Sequence, residues 1–285
     1  MSFPAGASEA RRVGGGDINE AWHVRLADGR EAFVKTRPDA APGEYAAEAR
    51  GLRWLSQAGA LRVPAVLEVG ERHLALEWIE PGRLGARGED DLGRGLAALH
   101  AAGAPHFGDP DAALDGARDA LEAARFGSLQ LSNEPTASWP EFYVERRLRP
   151  LMRIASDRRA VSTAALSALE RVCEQMDELA GPPEPPARLH GDLWWGNVLA
   201  DSSGEPWLID PSAYGGHREV DLAMLKLFGA DRGRAFDAYA DAFPLSDGHA
   251  ERVGLWQLLP LLVHAVLFGG SYGASVARVA ERYAR

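Results

Sequence analysis

The sequence predicts an α+β fold in two lobes, a small β-rich N-terminal lobe with one helix and a larger, mostly helical lobe after it. Two observations predict this order. Strand-like runs dominate residues 1–80, and helical periodicity dominates residues 81–285. Between them, the Gly- and charge-rich segment "EPGRLGARGED" at 80–90 is typical of a boundary.

Composition excludes several classes of protein. The formal net charge is −10, and Lys and Arg are scattered, which argues against a nucleic-acid groove. Cys173 is the single cysteine, so neither an internal disulfide nor a cysteine metal cluster can form. The first sixteen residues lack the apolar region of a signal peptide. The apolar run at 253–268 contains Gln257, Pro260 and His264, which predicts a buried helix and no membrane contact. We therefore expect a cytoplasmic enzyme or binding protein.

The N-terminal lobe divides into two strand pairs and a helix. Two β-like runs at 21–36 flank an Asp-Gly dipeptide, which predicts a hairpin. Apolar residues at three- and four-residue spacing predict a helix within 42–60. The runs at 64–70 and 73–80 predict a second strand pair.

The C-terminal lobe is predicted to be helical except near residue 200. Helices are expected at 90–102, 110–125, 138–157 and 161–180. A Pro-rich break at 181–187 follows. Two short strands are then expected to bracket 198–210, and helices to continue to the C-terminus.

Three features of the N-terminal lobe suggest phosphate binding. In "GGGDIN", Gly15 and Gly16 leave backbone amides free to approach phosphates, although a Gly-rich turn alone is weak evidence. Lys35 ends a strand pattern, and Glu48 lies in the next predicted helix. A strand Lys paired with a helix Glu holds the α- and β-phosphates of ATP in kinase-like lobes. Glu44, one turn earlier, is the alternative partner.

The segment "RLHGDLWWGNVLAD" at 188–201 contains the clearest chemical pattern. Asn197 follows Asp192 by five residues, as in a kinase catalytic loop, and Asp210 ends the next apolar run. Such an Asp orients an attacking hydroxyl, while the amide oxygen and the second carboxylate bind magnesium. The order of these polar residues after Lys35 predicts phosphoryl transfer.

Several segments resemble the fructosamine kinase (ketosamine-3-kinase) family, which is related to aminoglycoside and choline kinases in the protein-kinase-like fold. They are "GGGDINEA", "FVK", "LEWI", "LHGDLWWGNVL", "IDP", "GHREVDLAMLKLFG" and "LLVHAVLFGGSY". The resemblance implies ATP-dependent phosphorylation of the C3 hydroxyl of a ketosamine. It also implies a deglycation role, since the phosphorylated adduct breaks down and frees the amine or protein lysine.

The resemblance also implies roles by position. Asp192 matches the family's catalytic Asp, Asn197 and Asp210 its Mg²⁺ ligands, and Lys35 and Glu48 its phosphate-holding pair.

"LEWI" matches the segment that joins the lobes, so backbone groups of Glu77 and Ile79 are expected to contact adenine. Trp195 stands where relatives often have a small residue, which predicts a reshaped acceptor pocket.

Features around Asp210 argue for a small acceptor over a peptide. Gly191 stands where regulated protein kinases place an Arg, and Pro211 replaces a mobile Phe-Gly pair. The short distance in sequence from Asp210 to Asp221 leaves little room for an activation loop.

The remaining polar candidates follow Asp192 in sequence. Asp221 is expected to hold backbone amides of the Asp192 loop, and Trp194 to pack against that loop. His217, Arg218 and Glu219 could contact the acceptor or brace the loop, and Arg218 could pair with Glu219 or Asp221. Rival functions are an aminoglycoside or hydroxylated-amine kinase of the same fold and a nucleotide-binding pseudokinase.

Overall fold

The computed structural model describes residues 4, 6–14, 19–110, 123–228 and 233–284. Gly15, Gly16 and most of the predicted helix at 110–125 lie outside the described residues.

The N-terminal part is a five-stranded antiparallel sheet with one helix, which confirms the predicted β-rich lobe with one helix but adds a strand to the four predicted. Its strands are β1 (Ser8–Val13), β2 (Glu20–Arg25), β3 (Glu31–Thr36), β4 (Val66–Val69) and β5 (His73–Glu77), in the order β1-β2-β3-β5-β4. The sequence did not predict β1, because nearly all of its residues are exposed and no apolar alternation marks it.

Helix α1 (Glu44–Ser56) connects this sheet to the rest of the chain. Near its start and middle, Tyr45 and Ala49 pack against β5. At its end, Trp54 and Leu55 belong to a cluster that includes residues of the next helix, α2 (Ala86–Ala101). The two ends of α1 therefore contact different parts of the molecule.

The remaining helices of the described residues all follow residue 138. They are α3 (Trp139–Tyr143), a π-helical turn (Val144–Leu148), α4 (Arg149–Asp157), α5 (Thr163–Glu174), α6 (Met176–Leu179), α7 (Glu219–Leu227), α8 (Gly233–Ala242), α9 (His249–Phe268) and α10 (Tyr272–Tyr283). Helix α9 is long and apolar enough to cross a membrane by length and composition, which is weak evidence on its own. Most of it is buried in the main core, as the sequence predicted for 253–268.

Among the residues that the structure describes, three short strand pairs interrupt the helices. They are β6 (Ala123–Phe126) with β7 (Leu129–Ser132), β8 (Ala187–Leu189) with β11 (Tyr214–Gly216), and β9 (Val198–Ala200) with β10 (Pro206–Leu208). The β9–β10 pair confirms the strands predicted to bracket 198–210. The predicted helix at 110–125 is wrong at its end, because buried and partly exposed residues alternate in β6 and the chain turns at Gly127.

Candidate active site

Lys35, on the central strand β3, joins two carboxylates from different parts of the chain. Its Nζ lies 2.8 Å from Oε1 of Glu48 on α1 and donates a second hydrogen bond to Oδ1 of Asp210. Burial alone would lower the pKa of Lys35, but Asp210 and Glu48 outweigh it and the pKa is raised. Burial raises the pKa of Glu48 against the effect of Lys35. This triad links the sheet, α1 and the segment after β10.

Glu44, the alternative partner of Lys35, is engaged elsewhere. Its Oε2 accepts a 2.6 Å hydrogen bond from Arg37 and another from the backbone N–H of Ala41. Glu44 therefore orders the segment before α1, and Glu48, one turn later, contacts Lys35.

We call the loop at 190–197 the Asp192 loop. The side chain of Asp221 binds its backbone. The Asp221 carboxylate accepts hydrogen bonds from the backbone N–H groups of His190 at 2.7 Å and Gly191 at 2.9 Å. Gly191 has φ +83°, and a Cβ there would lie 2.0 Å from the carbonyl oxygen of Ser212. The close approach of the two backbone segments thus requires glycine.

Asp192 lies in an environment that disfavours its charge. Burial, followed by the carboxylates of Asp210 and Asp221, raises the pKa of Asp192 from 3.8 to about 7. Asn197 opposes this shift through a long hydrogen bond to the Asp192 side chain. Its Nδ2 also donates a 2.8 Å bond to the backbone oxygen of Asp192, which fixes the turn of the loop.

Asp210 is positioned by bonds between the Asp192 loop and the end of β10. The backbone N–H of Ile209 donates to the Asn197 carbonyl at 3.0 Å, and His190 Nε2 lies 2.9 Å from the Ile209 carbonyl. Asp210 itself has φ +56°, a left-handed conformation that is uncommon for residues other than glycine. Its side chain remains 41% exposed and accessible from the adjoining cavity.

These side chains meet in one cavity of about 170 Å³. Lys35, Glu48, Asp192 and Asp210 all line it. The cavity is also lined by Asn19, Arg125 and Ser212, which the sequence analysis missed. The two-residue turn after "AARF" could have revealed the hairpin that carries Arg125.

Three predicted residues lie away from this cavity. The guanidinium of Arg218 pairs with Glu184 at 2.7 Å, so its predicted pairing with Glu219 or Asp221 is wrong. Glu219 instead forms a buried ion pair with Arg252 at 2.6 Å.

His217 stacks on Trp256, with ring centroids 5.4 Å apart, and burial lowers its pKa. It lines a separate cavity of about 360 Å³. The sequence left two roles open for His217, Arg218 and Glu219: contact with the acceptor or bracing of the loop. The contacts favour bracing, because side chains of α9 and of the Pro-rich segment already surround these residues.

The two tryptophans of the Asp192 loop point in different directions. The Trp194 ring covers Gly196, where a Cβ would lie 2.2 Å from it, yet Trp194 stays 41% exposed. Trp195 packs beside the cluster that contains Trp54 and is not among the residues lining the Lys35 cavity. The predicted reshaping of the acceptor pocket by Trp195 stays a prediction.

Glu77 and Ile79 lie in the segment that joins the two parts of the chain, and they differ in their contacts. The Glu77 N–H donates to the Ala65 carbonyl at 2.8 Å, and its side chain accepts from Ala65 N–H. Ile79 lies beyond the end of β5 and is partly buried. Contacts of either backbone with adenine stay a prediction.

Comparisons with known proteins agree with this geometry. A model of the fructosamine kinase family matches residues 3–285. A probable ketoamine kinase of Thermus thermophilus is 37% identical over 90% of this chain and 87% of its own length. A chloroplastic protein-ribulosamine 3-kinase of Oryza sativa is 33% identical over 96% and 78%, respectively.

Solved structures match as well. The crystal structure of a "putative fructosamine-3-kinase" from Thermobifida fusca superposes with a TM-score of 0.87 and 42% identity, covering 98% of this chain and 93% of that one. The choline kinase LicA from Streptococcus pneumoniae has a TM-score of 0.59 at 16% identity, covering 98% and 94%, and so shares the fold alone.

Fold and relatives together define an ATP-dependent phosphotransferase of kinase-like fold. The chain belongs to the fructosamine kinase family.

Proposed function

We propose that the protein transfers the γ-phosphoryl group of ATP to the C3 hydroxyl of a ketosamine, a sugar adduct of an amine or a protein lysine. The observation that carries this proposal is the convergence of Lys35, Glu48, Asp192 and Asp210 on one cavity. Family membership supports the ketosamine as acceptor.

Lys35 would bind phosphate oxygens of the nucleotide. It is buried, and its raised pKa keeps it cationic across the physiological range. Glu48 holds the ammonium group at the edge of the cavity through the 2.8 Å contact. Gly15 and Gly16 would add backbone amides on the same phosphates, and backbone groups of Glu77 and Ile79 would bind the adenine.

Asn197 and Asp210 would hold Mg²⁺, and their free oxygens fit that ion. No described residue donates a hydrogen bond to Oδ1 of Asn197 or to Oδ2 of Asp210. The described residues contain no group of three His, Cys, Asp or Glu that could hold a metal. Magnesium beside phosphates needs only one or two protein carboxylates. When bound, it supplies neutralisation of phosphate charge.

Asp192 would orient the acceptor hydroxyl and take its proton late in the transfer. Burial raises the pKa of this carboxyl, which makes it a better proton acceptor than an ordinary Asp. Asp221 and Asn197 keep this group in place through their bonds to the loop backbone. Positioning and charge complementarity therefore account for most of the expected rate enhancement.

The direct test is acceptor-dependent ADP release from magnesium-ATP. The acceptors would be a fructosamine, a ribulosamine, an erythrulosamine and an aminoglycoside, with Asp192→Asn as the inactive variant. Asp177→Asn is the matched control, because Asp177 is an exposed carboxylate outside the Lys35 cavity. Release with a ketosamine that is lost only in Asp192→Asn supports the proposal. Release with the aminoglycoside alone would overturn the acceptor. Release with none, despite ATP binding, would favour an untested acceptor first and a pseudokinase second.

A further inference from the structure

The β6–β7 hairpin reaches from the helical part of the chain to the start of α1. Nη2 of Arg125 donates a 3.0 Å hydrogen bond to the carbonyl oxygen of Pro42, two residues before α1 begins. Ala123, Ala124 and Gly127 of the same hairpin line the Lys35 cavity. The hairpin therefore forms one wall of the site and also contacts the helix that carries Glu48.

A buried arginine binds the end of β7, at the base of this hairpin. Arg147 is fully buried, and its guanidinium donates to the Ser132 carbonyl at 2.8 Å and to the Asn133 side chain. The same guanidinium lies between two aromatic rings, 4.5 Å from Phe142 and 4.3 Å from Tyr214. Hydrogen bonds and cation–π contacts on a buried cation leave the hairpin little freedom at its base.

The contact at Pro42 is transmitted to the first turn of α1. Glu44 accepts bonds from Arg37 and from the Ala41 N–H, so the segment from Arg37 to Glu44 is held as one unit. The Pro42 carbonyl that Arg125 binds lies inside this unit. Glu48 follows one helical turn later, and a shift of this turn would move its carboxylate relative to Lys35.

The other end of α1 is attached independently. Trp54 and Leu55 are buried in the cluster with Leu92 and Leu96 of α2. Nη1 of Arg188 donates a 2.6 Å hydrogen bond to the Trp54 carbonyl. Residues of the C-terminal part of the chain therefore contact α1 at both ends, through Arg125 before its first turn and Arg188 at its last turn. Glu48 lies between these two contacts.

We infer that Arg125 is a positioning residue, which holds the first turn of α1 so that Glu48 stays in contact with Lys35. In kinases of the regulated kind an ordered activation loop controls the corresponding Lys–Glu pair. Here the hairpin would do so permanently. This inference rests on the proposed role of Lys35 in nucleotide binding. It assigns Arg125 no contact with the acceptor, although Arg125 lines the same cavity.

The test is the affinity for magnesium-ATP, measured by calorimetric titration without any acceptor. Arg125→Ala should weaken binding roughly two- to tenfold, the range expected for one partly exposed hydrogen bond. Arg125→Lys keeps one donor on a long side chain and should recover part of the affinity. Arg53→Ala is the matched control, because Arg53 is an exposed arginine on the same helix, and its affinity should equal that of the wild type.

A double-mutant cycle with Glu48→Ala separates positioning from a general structural effect. If Arg125 acts through Glu48, Arg125→Ala should cause no further loss of affinity in the Glu48→Ala protein. If Arg125→Ala lowered the affinity for magnesium-ATP equally in the wild-type and the Glu48→Ala proteins, the inference would be overturned. An unchanged nucleotide affinity with a raised KM for the acceptor would also overturn it, since Arg125 would then contact the acceptor.

The two proposals fail in distinguishable ways. A wild-type protein that binds magnesium-ATP but phosphorylates no ketosamine overturns the proposed acceptor. The double-mutant cycle on Arg125 and Glu48 can still be interpreted in that case, because it measures nucleotide affinity. A wild-type protein that binds no nucleotide overturns both.

Discussion

Replacement of Asp192 by Asn should stabilise the metal-free protein at alkaline pH, even though it removes a proposed catalytic group. The pKa of this carboxyl rises from 3.8 to about 7 through burial and then through the nearby Asp210 and Asp221. In that interval the folded protein keeps a proton that the unfolded chain releases. Stability therefore falls as the pH rises from the lower value to the higher one.

The size of the effect follows from the shift. About three pH units correspond to about 4 kcal/mol when the whole shift acts on folding. Asp192 is only partly buried, and Asn is itself polar, so we expect a gain of about 1–3 kcal/mol at alkaline pH. Since the penalty accumulates from the unfolded pKa of 3.8 up to the folded pKa of about 7, only part of it has accumulated at pH 5, and the gain near pH 8 should be at least about twice that near pH 5.

The assay is urea unfolding of wild type and Asp192→Asn at both pH values, with a chelator present. Asp177→Asn is the control for removal of an exposed carboxylate, and its effect should be small at both pH values. A stability gain of the same size at both pH values, or a loss near pH 8, would refute the reasoning that burial and neighbouring carboxylates penalise the charged form. Turnover measured on the same variants shows whether the Asp192 carboxylate, which destabilises the folded protein, is also needed for phosphoryl transfer.

Two further predictions concern residues outside the Lys35 cavity. Arg252→Ala should lower the free energy of unfolding by about 3–5 kcal/mol, because it leaves the buried Glu219 carboxylate without its cation; magnesium-ATP affinity should not change, and a loss of affinity would show that Glu219 acts on the nucleotide. Cys173 is buried and its pKa is raised to about 12, mainly by burial. A thiol reagent should therefore react with it only in urea, and rapid reaction in native buffer would contradict this.

Local patterns predicted the parts of the fold that depend on neighbouring residues. The β2–β3 hairpin surrounds an Asp-Gly turn, and α1 shows helical spacing of apolar residues, so both were predictable from short windows. Strand β1 was missed because it is a mostly exposed edge strand of the sheet. The β6–β7 hairpin was missed because the start of β6 was assigned to the helix at 110–125 and β7 was assigned to no element, although Phe126 and Leu129 flank a two-residue turn.

The candidate site likewise contains residues that the sequence predicted and contacts that it did not. The spacing of Asp192, Asn197 and Asp210, together with Lys35 earlier in the chain, identified the chemistry because those residue types are required in that order. The partners of His217, Arg218 and Glu219 were not predictable, whereas the bonds from Asp221 to the Asp192 loop were predicted. Arg218 could reach several carboxylates, and its pairing with Glu184 depends on the Pro-rich segment folding back over it.

The sequence alone therefore predicted the class of fold, the family and three residues of the Lys35 cavity, namely Lys35, Asp192 and Asp210, since motif spacing and local periodicity are properties of the chain itself. Only the tertiary structure decided between Glu44 and Glu48 as the partner of Lys35, because that choice depends on which face of α1 turns toward β3. It alone brought Arg125 to Pro42, a contact between residues 83 positions apart that no local pattern encodes.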